Sequence, residues 1–273
     1  MRRGGIIRGW AFASGLAGMM LLGVVLGQSA PTLTIEREDA TIVITQRAQS
    51  AAGARFVPGN KNCEEGILTS IFYGPPPGFI ETVIDNTRLT STAAIIRAPR
   101  ENGGGEGQGK DQQTIDLFGG SVNFNRPGCP EEITRSEEAT VTLEQGRTMV
   151  HGSSFFLDRG TDIGHMAGPV TLERAAAGEA SALEASADAL ELNVATERST
   201  LSGNVRVVSG ERVSEAEALE LNEDEGLAIM TGNPARSREG DNVLEGMRLL
   251  YYLDSNDVVV VGNVRGTLEV ELR

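Results

Sequence analysis

Apolar and polar residues alternate along the second half of the chain in short runs that return at a fixed interval. ADALELN at 187–193 is nearly repeated as AEALELN at 216–222, and EGMRLLYY at 245–252 is a diverged third copy. After each comes an apolar residue, a Gly-Asn pair, and Val or Pro: TLSGNVRVV at 200–208, IMTGNPARS at 229–237 and VVVGNVRGT at 259–267. Gly203, Gly232 and Gly262 are 29 and 30 residues apart, and Leu190, Leu219 and Leu249 each lie 13 residues before one of them. A fourth copy lies upstream, where Phe155 precedes Gly168 by 13 residues. The longer gap of 35 residues from Gly168 to Gly203 holds the insert AAAGEASA at 175–182. A period sustained over four copies marks a repeat architecture.

Each copy has the same plan. An alternating run leads into a polar turn (Ala195–Ser199, Glu223–Gly226, Asp254–Asp257), and a second alternating run follows. Period-2 alternation around turn residues predicts strand–turn–strand units. Helix is the rival reading for 180–193, which is rich in Ala, Leu and Glu. The copy at 245–252 has Tyr251 and Tyr252 and no alanine, so a structure shared by all copies is strand.

Parity assigns faces. Phe155, Leu157, Leu190, Leu192, Leu219, Leu221, Leu249 and Tyr251 share one side of the first strands. Met166, Val170, Leu201, Val205, Met230, Pro234, Val260 and Val264 share one side of the second strands. Glu191, Glu220, Arg206 and Arg248 fall on the opposite side. Gly168, Gly203, Gly232 and Gly262 interrupt the apolar row, where a residue without a side chain permits a bend or bulge. Two-strand units with one apolar face bury it only by stacking. The expected fold is all-β: repeated hairpins in a curved, open β-jellyroll or solenoid-like stack.

These stretches resemble the LptA/OstA-like family of lipopolysaccharide transport, whose relatives include LptC and the LptD N-terminal domain. The resemblance covers about residues 139–270 and rests on ADALELN…TLSGNVRVV, AEALELN…IMTGNPARS and EGMRLLYYLDSNDVVVVGNVRG. It implies an exported V-shaped β-jellyroll that carries lipopolysaccharide or a similar amphiphile along its apolar inside. It also implies head-to-tail edge-strand pairing with other jellyrolls, LptC-like or LptD-like, or with further copies of this chain. The inward residues Phe155, Leu157, Met166, Val170, Leu190, Leu192, Leu201, Val205, Leu219, Leu221, Met230, Leu249, Tyr251, Val260 and Val264 would line the lipid path. GTLEVELR at 266–273 is the candidate docking edge.

The first half departs from this pattern. Residues 30–130 read as a diverged β region, with a Gly-rich insertion at 101–113 and repeats proper from 139 to 273. DNTRLTSTAAIIRAP at 85–99 and TIDLFGGSVNFN at 114–125 form one degenerate unit, in which Phe118–Val122 echoes the Gly-Asn-Val element. NKNCEEG at 60–66 and PPPG at 75–78 are expected loops.

The N-terminus sets the compartment. Arg2, Arg3 and Arg8 precede an apolar run from Trp10 to Leu26, then Gly27-Gln28-Ser29-Ala30, which reads as a signal peptide cleaved after Ser29. An uncleaved inner-membrane anchor, as in an LptC-like component, is the alternative. Either places the bulk of the chain outside the cytoplasm, and cleavage implies the periplasm, between inner and outer membranes. An exported chain with two cysteines is expected to join Cys63 to Cys129, with two unpaired thiols as the alternative. The formal net charge of −14 opposes phosphate-backbone contact, so nucleic acid is excluded as a partner.

No chemistry of bond-making is evident. His151 and His165 have no partners at metal-ligand spacing. The acidic clusters at 64–67, 136–139 and 222–226 lack an ordered calcium-loop pattern and read as solvated turns. GGGEGQG at 103–109 lacks the Lys-Ser/Thr ending of a phosphate loop. The expectation is therefore a non-enzyme with no metal and no cofactor. A structural envelope protein with a fully packed interior is the alternative to a carrier.

Overall fold

The computed structural model describes residues 30–36, 41–47, 52–100, 112–125, 128–138, 141–176, 181–196, 198–222, 225–255 and 257–267. The expected signal segment, most of the Gly-rich insertion and the chain end after Thr267 lie outside these residues. The fold is all-β, with no α-helix among the described residues. The first strands are β1 (Thr32–Glu36), β2 (Thr41–Arg47), β3 (Arg55–Glu64), β4 (Ile67–Tyr73), β5 (Phe79–Ile84), β6 (Thr87–Ser91) and β7 (Ala93–Pro99). Next come β8 (Thr114–Phe118), β9 (Gly120–Phe124), β10 (Pro130–Arg135), β11 (Val141–Gln145), β12 (Thr148–Gly152) and β13 (Ser154–Asp158). Long strands follow: β14 (Ile163–Arg174), β15 (Leu183–Asn193), β16 (Arg198–Ser209), β17 (Arg212–Asn222), β18 (Leu227–Glu239) and β19 (Asn242–Tyr252). The last are β20 (Val258–Val261) and β21 (Arg265–Thr267). Nineteen of the strands pair into one open antiparallel sheet, and β9 and β10 form a separate hairpin.

Each long strand from β14 to β19 is broken midway by a slip in the ladder. The slips fall at Ala167/Val170, Ser202/Val205 and Thr231/Ala235, each opposite a single residue of the next strand. Extra residues on one strand of a pair make a β-bulge, which bends the strand and raises its twist. Gly203 and Asn204 have φ of 76° and 48°, and Gly262 and Asn263 have 77° and 49°. Glycine enters this left-handed region freely and asparagine tolerates it better than most residues, which suits the pair to these two bends; Gly232 and Asn233 bend β18 without positive φ. Asn204 Nδ2 also donates to Asp188 Oδ2 at 2.8 Å, tying the bend to the neighbouring strand.

The aligned bends divide the sheet into two walls that meet at a vertex. Wall A runs β1, β2, β5, β6, β11, β12, the second half of β14, then alternate halves of β15 to β19, and ends on β21. Wall B runs β3, β4, β7, β8, β13, the first half of β14, the complementary halves of β15 to β19, and ends on β20. Both walls pass from the first half into the repeats without a break, because β6 pairs with β11 and β8 pairs with β13.

The facing sides of the walls share one core that includes Ile42, Ile80 and Leu117 of the first half and Leu190, Leu201 and Leu249 of the repeats. A second, smaller core lies on the outside of wall B. There the β9–β10 hairpin lays Val122, Phe124 and Ile133 over Ile71, Ile95 and Phe118. The Arg55 guanidinium lies 4.5 Å from the Phe124 ring centre and that of Arg135 lies 4.6 Å from the Phe118 ring centre. Cys63 of β3 is disulfide-bonded to Cys129, just before β10, and pins the hairpin to the sheet.

Three details differ from the sequence reading. Residues 60–64, expected in a loop, belong to β3, with Asn60 opposite Thr69 and Glu64 opposite Ile67. As the outermost strand of wall B, β3 leaves polar side chains in water, so its composition resembles a loop. Phe118–Val122 does not bend from one wall into the other, because β9 leaves the sheet for β10 and wall A is filled by β11 instead. Pro234 points outward and Ala235 is buried, because the bulge in β18 holds one more residue than those in β14 and β16.

Candidate functional site

Two-residue alternation along bent strands creates the interior. Phe155, Leu157, Met166, Val170, Leu190, Leu192, Leu201, Val205, Leu219, Leu221, Met230, Leu249 and Tyr251 all point into it and are buried. Val260 is partly buried and packs on the same core. Val264 lies apart from them, 57% exposed in the short break between β20 and β21. Further inward residues that the repeat does not reveal are Ile80, Ile84 and Leu89 of the first half and Leu143, Val150 and Leu172 beyond it. Plain alternation in 80–84, 87–91 and 141–145 carries that signal.

The glycines make room at the bends. A Cβ at Gly203 would sit 2.4 Å from Asp188 Oδ2, and one at Gly168 would sit 1.9 Å from the Asp188 carbonyl oxygen. Gly164, which parity does not single out, clears space for the Phe155 ring, since a Cβ there would lie 2.2 Å from Phe155 Cζ.

At the free rims, away from the vertex, the walls touch. Ile84 and Thr87 of wall A border a narrow crevice with Leu192 and Val194 of wall B. Further along, Arg174 Nη1 at the end of β14 donates to the Leu253 carbonyl at 3.2 Å. Arg147 Nη2, in the β11–β12 turn, donates to Asp254 Oδ1 at 3.0 Å. The hydroxyls of Ser214 on wall A and Tyr251 on wall B share a hydrogen bond across the interior. The interior of this state is thus filled by side chains and closed along these contacts. The ends of the stack are different. Among the described residues, β1 pairs with β2 alone, β3 with β4 alone and β20 with β19 alone. Met247, Tyr252, Val259, Val261 and Val264 expose apolar surface at the C-terminal end.

The two histidines lie apart. His151 Nδ1 is 3.1 Å from the Thr142 hydroxyl, and His165 Nδ1 is 3.8 Å from Glu191 Oε2 on the outer face. The described residues contain no group of three or more His, Cys, Asp or Glu placed to hold a metal.

A family model described as the LptA/(LptD N-terminal domain) LPS transport protein matches residues 83–227, from the end of β5 to the start of β18. Among solved structures, the chain is similar to LptH, described as the LptA homologous periplasmic component of the conserved lipopolysaccharide transport device from Pseudomonas aeruginosa. The match has 12% identity and a TM-score of 0.30, and covers 67% of this chain and 95% of that one. No curated protein sequence matches significantly.

Proposed function

The chain belongs to the LptA/LptD N-terminal-domain family of lipopolysaccharide transport proteins, and from that premise we propose that it is a periplasmic, non-enzymatic carrier of lipopolysaccharide or a related envelope amphiphile. The observation that carries this reading is the apolar interior, continuous between two walls whose long strands bend from one into the other at the vertex. Acyl chains enter by parting the rims and replacing wall-to-wall packing with wall-to-lipid packing. Each CH₂ so enclosed contributes about 0.8 kcal/mol, so partial insertion already holds a lipid. The outer edges of β1 and β3 at one end and of β20 at the other offer main-chain donors and acceptors to a like jellyroll. Head-to-tail pairing would then lengthen the path with LptC-like or LptD-like partners or with further copies. The paired cysteines and the leader-like N-terminus support export.

A second reading is favoured by the near-complete burial of the inward leucines. It makes the chain a packed structural element without cargo. Photo-crosslinking in cells separates the two. With probes at Leu192 and Leu221, which face inward, and at Glu191 and Glu220, which face outward, the carrier reading expects lipid adducts at the leucines alone. Protein adducts or none at all four positions would leave the packed structural element.

A further inference from the structure

We propose that Arg147 and Arg174 form a binding site for the phosphate-type headgroup of an amphiphile, at the mouth between the walls, and that Asp254 fills this site in the closed chain. The proposal rests on the reading of the interior as a lipid path. The two guanidiniums come from adjacent strand ends of wall A. Thr148, beside Arg147, is the ladder partner of Arg174, and Ala175 N donates to the Arg147 carbonyl at 3.1 Å. The turn carrying Arg147 is therefore fixed against the end of β14. Val170, Leu172 and Arg174 follow one another on the inward face of that strand. The apolar row thus ends at the rim in a cation whose side chain is only 3% exposed.

The anion comes from the other wall. Asp254 Oδ1 accepts from Arg147 Nη2 at 3.0 Å and lies 3.8 Å from Arg174 Nη2. Its own side chain is 76% exposed, so water holds it nearly as well as the arginines do. Two guanidiniums share this single oxygen. A phosphate monoester brings a charge of about −1.5 to −2 near neutral pH and three acceptor oxygens, which suits a double guanidinium site better than one carboxylate does. Leu253, whose carbonyl accepts from Arg174, is buried in the interior core. A headgroup that displaces Asp254 would release this wall-to-wall tie beside the place where acyl chains must enter. In one move the headgroup is bound and the mouth is opened.

Isothermal titration of the chain with dodecyl phosphate below its micelle concentration, dodecyl maltoside and inorganic phosphate tests this. Dodecyl phosphate is expected to bind more tightly than dodecyl maltoside. Arg147→Ala should weaken dodecyl phosphate about tenfold, the loss of one charge-assisted contact. It should leave dodecyl maltoside unchanged, and Arg147→Lys should recover part of the loss. Asp254→Asn, at an exposed turn position, should strengthen dodecyl phosphate relative to dodecyl maltoside. A purely structural tie would not change that ratio. Equal binding of both amphiphiles in every variant would overturn the headgroup site and leave the lipid path standing. Failure of both amphiphiles to bind would overturn the lipid path and the site with it. Inorganic phosphate binding as tightly as dodecyl phosphate, with the same loss in Arg147→Ala, would assign the site to free phosphate and overturn the headgroup reading.

Discussion

Replacing Cys63 and Cys129 together by serine is expected to destabilise the chain by about 4 kcal/mol, the largest effect of any substitution outside the interior. The bond closes a loop with a sequence separation of 66 residues, and the chain entropy such a loop removes from the unfolded state is worth about 4 kcal/mol. The loss has a location as well as a size. An isolated two-stranded hairpin is marginal in water, and β9–β10 is held to wall B by the small outer core and by Arg135, whose Nη2 lies 2.6 Å from Asp116 Oδ2. Without the bond, that core must hold the hairpin by itself. Thermal unfolding should show a midpoint lowered by about 10 °C, and limited proteolysis should cut first within 120–135. A shift of less than about 1 kcal/mol would show that the outer core alone fixes the hairpin.

Phe155→Ala is expected to cost about 3–5 kcal/mol, whereas Phe156→Ala, one residue on, should stay below about 1 kcal/mol. Phe155 is fully buried, and Phe156 is 40% exposed on the outer face. The Phe155 ring fills space that Gly164 leaves open, and glycine has no side chain to fill that space when the ring is removed. Its strand also joins the halves of wall B, pairing with β8 on one side and β14 on the other. Urea unfolding of the two variants reads the difference directly. Similar losses in both would mean that the two faces of β13 are not inside and outside as described.

The repeat half was legible because one unit is written several times. Leu190, Leu219 and Leu249 share a phase with one another, so their common face could be read from parity without knowing what they touch. That phase misleads where a copy adds a residue. Pro234 stands at the place of Val205 in the alternation, yet Ala235 takes the inward position because the β18 bulge is longer. The first half was harder to read because its pairings are distant. Nothing in residues 87–91 announces that β6 will pair with β11 across an intervening strand pair and a hairpin. The rim contacts were hidden for the same reason. Arg147 and Asp254 are 107 residues apart, and in a linear reading each is an ordinary charged residue in a turn. The departure of β9 from the sheet, in turn, depends on β11 taking its place in wall A, which local propensity does not encode.

The two halves of the sheet also differ in when they can form. From β14 to β19 every rung joins consecutive strands, so this part can zip up hairpin by hairpin, at the rate of local loop closure. β2 must wait for β5, β6 for β11, and β8 for β13, and each wait requires closing a longer loop first. The chain is therefore expected to fold against its own direction, with the later residues supplying a template on which the earlier hairpins dock. Pulse-labelled hydrogen exchange during refolding should find the amides of β15 to β18 protected before those of β2 and β6. Simultaneous protection of both sets would mean that the walls collapse together rather than grow from one end.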